Sequence, residues 1–490
     1  MKTNVPAQIT ITALNLPKES ELLDVFQHYA AQDWAMLLDS ANSTHEDGRY
    51  DIFVAQPIAT LTTLGESSTL WRQASNNTVT SNAEPLGLLQ ELLDENIATN
   101  WQTELVGIDL PFMVGALGYF GYDLGRRFET LPDTGREDYQ TPDMSVGIYS
   151  WSVIKDNLHS TFYLCALEPH TAPTVQYLQA LADKQAEHKA FSLIGEWQSN
   201  MQQAEYVQNL DKIDGYLRAG DCYQVNLAQR FNALYQGDEW SAYMTLRTAN
   251  KAHFSAFLRI PDATIISISP ERFLSVNEQQ VQSKPIKGTR PRSPDPQQDQ
   301  SNIDALIHSA KDQAENLMIV DLLRNDLSKN CQPGSVKVPE LFVIESFAAV
   351  HHLVSTVTGR LNEHCSPLTL LQDAFPGGSI TGAPKIRAMQ IIDELEPHKR
   401  NIYCGSIGYI GIKRDMDTSI CIRTLLCEEG KIYCWAGGGI VIDSDPQAEY
   451  QESLDKVSKI LPLLINHTSN SKTVAIGITD PKAGVHSEQK

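Results

Sequence analysis

The sequence has few cysteines, and none of them forms a metal-binding pattern. The eight cysteines are scattered, with no Cys-x-x-Cys pair and no cysteine–histidine cluster at zinc spacing. Such a distribution is typical of reduced, mostly buried cysteines in a cytosolic protein. The sequence therefore argues against a disulfide-stapled scaffold and against a structural zinc site.

Long apolar segments are also missing. No run approaches the ~18 apolar residues of a membrane-spanning helix. Residues 1–8 lack the apolar core of a signal peptide. We therefore expect a cytoplasmic protein with no membrane partner.

Basic residues are outnumbered throughout the chain. Its 490 residues include 39 Lys and Arg against 60 Asp and Glu, and the formal net charge is -21. This balance argues against a nucleic-acid partner, because binding to a phosphate backbone depends on clustered Lys and Arg. An acidic protein that binds an anionic substrate must concentrate positive charge, or a metal ion, at the binding site.

The overall composition is that of a globular protein, with 42% hydrophobic and 20% charged residues. Residues 1–185 predict a mainly β N-terminal domain, because strand-like runs outnumber long helices there. Residues 200–465 predict a second domain in which helices and strands alternate irregularly. Residues 466–490 form a polar tail that we expect to be mobile. Because few βαβ units are visible, the pattern favours an α+β fold.

Three predicted elements carry candidate functional residues. The apolar spacing predicts a long helix over Asp304–Leu323 and a strand over Ser419–Leu426. A last helix is predicted to begin at Pro446, with Asp445 as its N-cap. In the first half, the glycines between Gly115 and Gly121 indicate closely packed strands.

The segment Ser283–Arg292 concentrates positive charge, with four cations among its ten residues. Lys287 is predicted to lie on a shaped loop between Pro285 and Gly288. A lysine among other cations can have a lowered pKa, which yields the free amine that a nucleophile needs. The same cations would suit an anionic substrate, but taken alone the segment is more typical of a solvated basic loop.

Three glutamates form a candidate cation site. Glu449 and Glu452 are three residues apart on the last helix, so both carboxylates share one face, and Lys456 follows on that face. Glu315 lies within the apolar part of the long helix. Three carboxylates without Cys or His select a hard cation, Mg²⁺ before Zn²⁺. The alternative for the last helix is an ordinary surface Glu–Lys pair.

Two glycine-rich segments are candidates for binding a carboxylate. Residues 375–385 lack the Gly-Lys-Ser/Thr of a nucleotide-binding loop, but they offer free amides and Thr381 in a turn. Gly437–Gly439 is predicted to form a second such turn after a strand. Arg423, on its predicted strand, suits a bidentate carboxylate clamp. A surface arginine is the alternative there.

Together these segments resemble the chorismate-utilising enzymes. The resemblance runs from about Glu205 to Leu464, with its segments in family order, and a weaker match precedes it. The resemblance implies a large α+β fold of two packed β-sheets flanked by helices, and a Mg²⁺-dependent reaction on chorismate. The matching segments are Ser269–Phe273, Pro285–Thr289, Glu315–Asp326, His352–Ser355, Gly377–Lys385, Tyr403–Gly405, Ile422–Thr424 and Ala448–Glu452.

The resemblance also implies roles for individual residues. Lys287 would attack ring carbon C2, Glu271 would protonate the departing C4 hydroxyl, and His352 would lie near the ring. A strand-end acid and a packed core histidine are the alternatives for the last two. The other implied positions comprise Glu315, Glu449 and Glu452 as Mg²⁺ ligands, Lys456 as their support, and Thr381, Tyr403, Arg423, Gly437, Gly438 and Gly439 as contacts to substrate carboxylates.

Two positions indicate the branch of the family. Anthranilate- and salicylate-forming relatives usually have alanine where this chain has Lys287. Isochorismate- and salicylate-forming members place a water-activating lysine where this chain has Gln224. The chain is therefore similar to the branch that makes 4-amino-4-deoxychorismate for 4-aminobenzoate and folate synthesis. The alternatives are an anthranilate synthase component I and a non-catalytic homologue that holds chorismate or tryptophan.

The ammonia for such a reaction must come from another protein. The sequence has no Gly-x-Cys-x-Gly motif of a glutaminase nucleophile. We therefore expect a heterodimer with a glutamine amidotransferase subunit. Because the product keeps its enolpyruvyl group, a further lyase would be needed to release 4-aminobenzoate.

One loop departs from the family pattern. Relatives commonly carry Asn-Pro-Ser/Ala-Pro before the strand that matches Phe254–Leu258, whereas this chain has Asn250-Lys-Ala-His253. In relatives this loop joins the region around Ser40 to form a tryptophan pocket. The loss of both prolines argues against this pocket, and against binding or regulation by tryptophan, in this chain.

Overall fold

Two large, mostly antiparallel β-sheets form the centre of the molecule. The computed structural model describes residues 7–17, 19–43, 45–97, 101–103, 109–167, 172–347 and 350–465. The strands are β1 (Ala7–Leu14), β2 (Met36–Asp39), β3 (Tyr50–Val54), β4 (Ala59–Leu64), β5 (Ser67–Arg72), β6 (Asn77–Ser81), β7 (Trp101–Thr103), β8 (Gly115–Phe120), β9 (Met144–Tyr149), β10 (Trp151–Asp156), β11 (Thr161–Ala166), β12 (Ser192–Ser199), β13 (Gln224–Gln236), β14 (Phe254–Ile260), β15 (Ala263–Ser269), β16 (Arg272–Asn277), β17 (Gln280–Ser283), β18 (Ile286–Pro291), β19 (Lys337–Ser346), β20 (Val350–Arg360), β21 (Gly382–Ala383), β22 (Ser406–Gly411), β23 (Met416–Ile420), β24 (Thr424–Glu428) and β25 (Lys431–Ile440).

Helices flank the sheets. The described ranges also contain four short 3₁₀ segments that connect other elements: Glu46–Gly48, Tyr122–Arg127, Gly378–Ile380 and Leu461–Leu464. No helix in the described ranges is both long enough and apolar enough to cross a lipid bilayer. The α-helices are α1 (Leu23–Phe26), α2 (Pro85–Asn96), α3 (Val175–Ala182), α4 (Gln203–Ala219), α5 (Glu239–Asn250), α6 (Pro296–Ile307), α7 (Ala310–Ser328), α8 (Pro367–Ala374), α9 (Lys385–Leu395) and α10 (Pro446–Val457).

The strand order brings the two halves of the chain together. The first sheet runs β12-β13-β25-β24-β15-β14-β2-β3-β10-β11-β1-β7, with β21 on β13. The second runs β18-β20-β17-β16-β23-β22-β8-β9-β4-β5-β6, with β19 on β20. One hydrophobic cluster contains side chains of both sheets, among them Ile52 of the first and Leu117 of the second. This confirms the predicted α+β fold of two packed sheets.

Both sheets contain strands from each of the two predicted domains. In the first sheet β2 pairs with β14, with Leu37 opposite Phe257. In the second sheet β8 pairs with β22, with Gly118 opposite Gly408. The boundary between 185 and 200 remains a sequence-based prediction, and the predicted tail, 466–490, lies outside the described residues.

The prediction of closely packed strands around Gly115 and Gly118 is confirmed. A Cβ atom on Gly115 would lie 2.2 Å from the Ile410 carbonyl oxygen, and one on Gly118 would lie 2.1 Å from that of Ser145. Neither position can carry a side chain without moving the neighbouring strand. The last helix, α10, begins at Pro446 with Asp445 as its N-cap, also as predicted.

The long helix predicted over Asp304–Leu323 is instead two helices. The break falls at His308 and Ser309, where the Ser309 hydroxyl caps α7 by accepting the Asp312 backbone N–H. An N-cap hydroxyl satisfies one of the backbone donors that a helix start leaves unpaired. The apolar periodicity continues across the break, so it could not reveal the cap.

Three further local predictions were wrong. The predicted strand Ser419–Leu426 is interrupted, because Arg423 has φ +52° between β23 and β24. Gly437–Gly439 lies inside β25 rather than in a turn. A Cβ atom on Gly437 would lie 2.1 Å from the Leu227 carbonyl oxygen, so close strand packing requires this glycine. Lys287 belongs to β18 rather than to a loop.

Candidate active site

Lys287 is aimed by a bulge in β18. The pairing of β18 with β20 shifts register between Ile286 and Thr289, and Gly288 within the shift has φ +79°. A bulge bends a strand locally and can redirect a side chain. Here the ammonium of Lys287 donates a hydrogen bond to the backbone carbonyl of Ser379, 3.3 Å away.

Glu271 lies just before β16, and its side chain also contacts Ser379. Its side chain is buried, and its carboxylate accepts a hydrogen bond of 3.2 Å from the Ser379 hydroxyl. Burial raises the pKa of Glu271 to about 7, although the charge of Lys287 opposes the shift. Burial lowers the pKa of Lys287, against the attraction of Glu315 and Glu271. The pair therefore combines a basic amine and an acid that can hold a proton near neutral pH.

Ser379 was not identified from the sequence as a site residue. It lies in the 3₁₀ turn Gly378–Ile380, which packs on α7 so closely that a Cβ atom on Gly378 would lie 2.2 Å from Leu322 Cδ2. The glycine-rich segment was the available signal, but its pattern suggested ligand binding. The structure shows instead that this turn contacts both Lys287 and Glu271.

The three predicted metal ligands come together from α7 and α10. Glu449 is buried, whereas the side chain of Glu452 is half exposed at the rim. The ammonium of Lys311 lies 3.9 Å from a Glu315 oxygen and 3.6 Å from a Glu449 oxygen. Glu452 pairs with Lys456 at 2.8 Å. Sequence reasoning had not singled out Lys311, whose position between the acids marks where a cation is favoured.

This donor set fits Mg²⁺. It consists of carboxylate oxygens, which are the ligands that hard divalent cations prefer. Burial raises the pKa of Glu315, and the charges of Lys287 and Lys311 oppose the shift, so a nearby cation favours the ionised carboxylate. Lys311 is half exposed and can move aside. Gly438 leaves room beside the acids, because a Cβ atom there would lie 3.1 Å from a Glu449 oxygen.

Lys456 joins the acids to β25. Its ammonium donates to the backbone carbonyl of Gly437 at 2.7 Å as well as pairing with Glu452. Burial disfavours the charged form of Glu452, but the charge and hydrogen bond of Lys456 outweigh it and lower the pKa of Glu452. Strand β25 thus places Gly437 and Gly438 against the acid cluster. The next residue, Gly439, lies against Gln224, because a Cβ atom on it would lie 3.0 Å from the Gln224 side-chain amide.

Arg423 lies close enough to Glu271 to interact with its charge, and His352 lies close enough to interact with that of Arg423. The Arg423 guanidinium has no hydrogen-bond or ion-pair partner within the part of the chain that the structure describes. Burial lowers its pKa, opposed by the carboxylate of Glu271. Burial, together with the charge of Arg423, lowers the pKa of His352 to about 3, so this imidazole is neutral at pH 7. Its Nδ1 lies 2.8 Å from the Thr289 hydroxyl.

Tyr403 and Thr381 are more deeply placed. Tyr403 is buried and stacks on Trp435, with ring centroids 6.2 Å apart and an interplanar angle of 4°. The Thr381 hydroxyl donates to the Gly377 carbonyl at 2.9 Å. That bond shapes the loop. Contacts of either residue with a substrate remain sequence-based predictions.

Buried polar groups without partners mark the space next to these residues. Among the described residues, both amide atoms of Gln224 and the amide nitrogen of Asn226 are buried with no hydrogen-bond partner. Both residues lie on β13, whose Asn226 faces Gly439 of β25. Buried polar atoms are nearly always hydrogen-bonded, so these amides beside Gly439 are groups that a polar ligand could satisfy.

Ser40 lies apart from this site, at the end of β2. Its backbone N–H donates to Asp51 at 2.8 Å, and its hydroxyl accepts from the Asn157 amide at 3.0 Å. A cavity of about 260 Å³ lies nearby, lined by β2, β14 and β23 and by His253. The described residues that line it do not include Ser40. A tryptophan pocket at this place remains a prediction.

Comparison with known proteins agrees with this geometry. Residues 35–462 match the family model described as chorismate binding enzyme. The chain belongs to the chorismate-binding enzyme family. It is 50% identical to aminodeoxychorismate synthase component 1 of Escherichia coli strain K12, over 95% of this chain and the whole of that protein.

Two solved structures share the fold. Anthranilate synthase component I from Streptococcus pneumoniae TIGR4 superposes with a TM-score of 0.72 at 29% identity, covering 84% of this chain and 92% of that one. The menaquinone-specific isochorismate synthase MenF from Escherichia coli gives 0.68 at 18% identity, covering 94% and 96%. These likenesses confirm the predicted architecture.

Proposed function

We propose that the protein converts chorismate and ammonia to 4-amino-4-deoxychorismate. The observation that carries the proposal is the convergence of Lys287 and Glu271 on Ser379. Lysine at this position is also the residue by which the sequence resembles the C4-aminating branch. The Escherichia coli relative, 50% identical over its full length, bears the name of that activity.

The first step uses the two shifted pKa values. Lys287 attacks ring carbon C2 as a free amine, the ring double bonds shift towards C4, and the C4 hydroxyl departs with a proton from Glu271 as water. Burial lowers the pKa of Lys287 and so favours the neutral amine. Because the pKa of Glu271 is raised to about 7, its proton is available near neutral pH.

In the second step ammonia attacks C4. The double bonds return to their original positions and the bond from C2 to the Lys287 nitrogen breaks. The new C4 ammonium group loses a proton, which restores Glu271, and Lys287 departs as the neutral amine with which it began. A covalent intermediate thus divides one difficult substitution into two easier ones.

Glu315, Glu449 and Glu452 would hold Mg²⁺, with Lys456 fixing Glu452 from the side. When bound, the ion would neutralise a substrate carboxylate and orient the ring. Arg423 is suited to the second carboxylate, because its guanidinium lies in the site without a partner among the described residues. His352, which is neutral, would contribute hydrogen bonding without adding charge.

The ammonia would come from a glutamine amidotransferase subunit. Two observations support this part of the proposal: the chain lacks a glutaminase nucleophile motif, and the curated relative is named as component 1 of its synthase. We place the activity in the cytoplasm, in keeping with eight cysteines that are all free in the structure.

The product formed with ammonium tests the proposal. Purified protein with chorismate, Mg²⁺ and an ammonium salt should accumulate 4-amino-4-deoxychorismate, and 4-aminobenzoate should appear only after an aminodeoxychorismate lyase is added. Glutamine should replace ammonium only when the amidotransferase subunit is present. Fluorescent anthranilate formed without any lyase would contradict the proposal.

A further inference from the structure

A second group of potential metal ligands lies outside the active site. His45, Asp47 and His253 each offer a ligand atom, and these atoms all lie within 4.8 Å of one another. His45 and Asp47 belong to the segment after β2, and His253 lies between α5 and β14. Asp47 and His253 also line the cavity of about 260 Å³ described above.

His253 differs from His45 and Asp47 in that its side chain makes no hydrogen bond within the described residues. It is 6% exposed. Neither of its ring nitrogens has a hydrogen-bond partner in the described parts of the chain. An imidazole that lines a cavity and has no hydrogen-bond partner among the described residues is free to bind a ligand there.

His45 is already oriented as metal-ligating histidines usually are. The Asp47 backbone N–H donates to His45 Nδ1 at 3.2 Å, which makes Nδ1 the acceptor nitrogen. Nε2 therefore carries the proton and donates it to the Glu345 carboxylate at 3.1 Å. A carboxylate that accepts from the far nitrogen fixes the tautomer and raises the basicity of the near one. The single lone pair of Nδ1 accepts the Asp47 N–H, so a metal ion would have to displace that hydrogen bond; Asp47 Oδ2 lies 3.4 Å from the same nitrogen.

The surrounding charge favours a cation. Lys284 contacts Glu46, Asp47 and Glu345, and Arg272 contacts Asp47 and Asp417. Four carboxylates thus surround two cations, which leaves two negative charges in excess. A divalent ion would neutralise that excess. The Arg272 bond takes Asp47 Oδ1, and Lys284 Nζ lies 3.7 Å from Oδ2, so a metal ion that binds Oδ2 would replace Lys284 beside it.

We propose that His45, Asp47 and His253 form a binding site for one divalent transition-metal ion such as Zn²⁺. Two imidazoles and one carboxylate suit such an ion better than Mg²⁺, which prefers oxygen. Glu345 lies on β19 of the second sheet, whereas His45 and His253 adjoin β2 and β14 of the first. The hydrogen bond from His45 to Glu345 therefore connects the proposed site to the second sheet.

Binding requires a defined local rearrangement. The rings of His45 and His253 are now stacked, with centroids 4.6 Å apart and an interplanar angle of 25°, and Phe347 stacks on both. An imidazole lone pair lies in the ring plane, so the two rings must splay apart to face one ion. With bonds of about 2.0–2.2 Å, the ligand atoms must approach to about 3.4 Å of one another.

Cobalt titration of the full-length protein tests the site. After removal of metal by chelation, one equivalent of Co²⁺ should produce the intense visible absorption of a tetrahedral site containing nitrogen ligands, and Zn²⁺ should displace it. The melting temperature should rise with added Zn²⁺. Both effects should be lost in His253→Gln and in His45→Gln, and Glu345→Gln should weaken Zn²⁺ affinity about 10–100-fold.

Two matched variants separate this site from others. His308→Gln removes an exposed histidine that caps α6, and Glu449→Gln removes a proposed Mg²⁺ ligand; neither should change the cobalt spectrum or the Zn²⁺ effect on melting. Circular dichroism would establish that His253→Gln is folded. The absence of a visible band in the unsubstituted protein, or its persistence in folded His253→Gln, would overturn the proposal. Neither result would bear on the proposed amination of chorismate.

Discussion

The Lys287 ammonium donates a hydrogen bond to the backbone carbonyl of Ser379, 3.3 Å away. The hydroxyl of the same serine donates to Glu271 at 3.2 Å. One residue of a glycine-rich turn therefore contacts both the proposed nucleophile and the proposed acid. The carbonyl contact comes from the backbone and survives substitution, whereas the hydroxyl contact does not, so the two can be separated by experiment.

Replacing Ser379 by alanine should shift the pH dependence of the reaction. The Ser379 hydroxyl stabilises the charged form of Glu271 and so restrains its raised pKa. Without it the carboxyl should keep its proton to higher pH. Because hydrogen bonds to charged groups are worth about 1.5–3 kcal/mol, the alkaline limb of the kcat/KM profile should move up by about one pH unit or more.

Ser458→Ala is the control for this variant, since its hydroxyl serves only the exposed end of α10. Its pH profile should match that of the unsubstituted protein. An unmoved alkaline limb in Ser379→Ala would separate Ser379 from the titration of Glu271.

Glu271→Gln should slow the reaction and, above neutral pH, raise the melting temperature. A proton donor with a pKa of about 7 is lost as pH rises through that value, so the parent rate should fall above pH 7. The variant should be slower by about 10²–10⁴-fold and lack this limb.

The same raised pKa means that the folded state binds the Glu271 proton more tightly than the unfolded chain does, so its stabilising effect is lost as pH rises from about 4.5 to about 7. Glu271→Gln should therefore raise the melting temperature at pH 8 relative to the parent more than it does at pH 5. Equal shifts at both pH values would argue that the carboxyl titrates normally.

Glu449→Gln should weaken activation by Mg²⁺. Glu449 is buried beside Gly438 and accepts the Ser444 hydroxyl at 2.7 Å, so glutamine can keep its shape while losing its charge. The Mg²⁺ concentration for half-maximal rate should rise about tenfold or more. Glu429→Gln, in the turn between β24 and β25, should leave it unchanged. Equal Mg²⁺ dependence in all three proteins would place the ion elsewhere.

The sequence was sufficient for the fold class and for most of the candidate site. Resemblance identified Lys287, Glu271 and the three acids because they occupy short segments in family order, and the fold brings their elements together. Ser379 and Lys311 were missed for a physical reason. Their contacts arise when α7, β18 and the turn after α8 pack together, and no local periodicity records such packing.

Local backbone was predicted less well where single residues override a pattern. Arg423 adopts φ +52°, which ends one strand and starts the next, yet its neighbours read as continuous β structure. Gly437–Gly439 looks like a turn by composition, but these glycines serve close strand contact. In both cases tertiary contacts determine the backbone, and they are invisible in a single sequence.

The rate of Lys287→Ala with chorismate, Mg²⁺ and ammonium tests the central claim most directly. If Lys287 is the covalent nucleophile, the variant should keep its fold, as judged by circular dichroism and melting temperature, and lose nearly all formation of 4-amino-4-deoxychorismate. Lys311→Ala, which removes a nearby half-exposed ammonium, should retain most of the activity at saturating Mg²⁺. A folded Lys287→Ala variant that aminates chorismate at a near-normal rate would contradict the account.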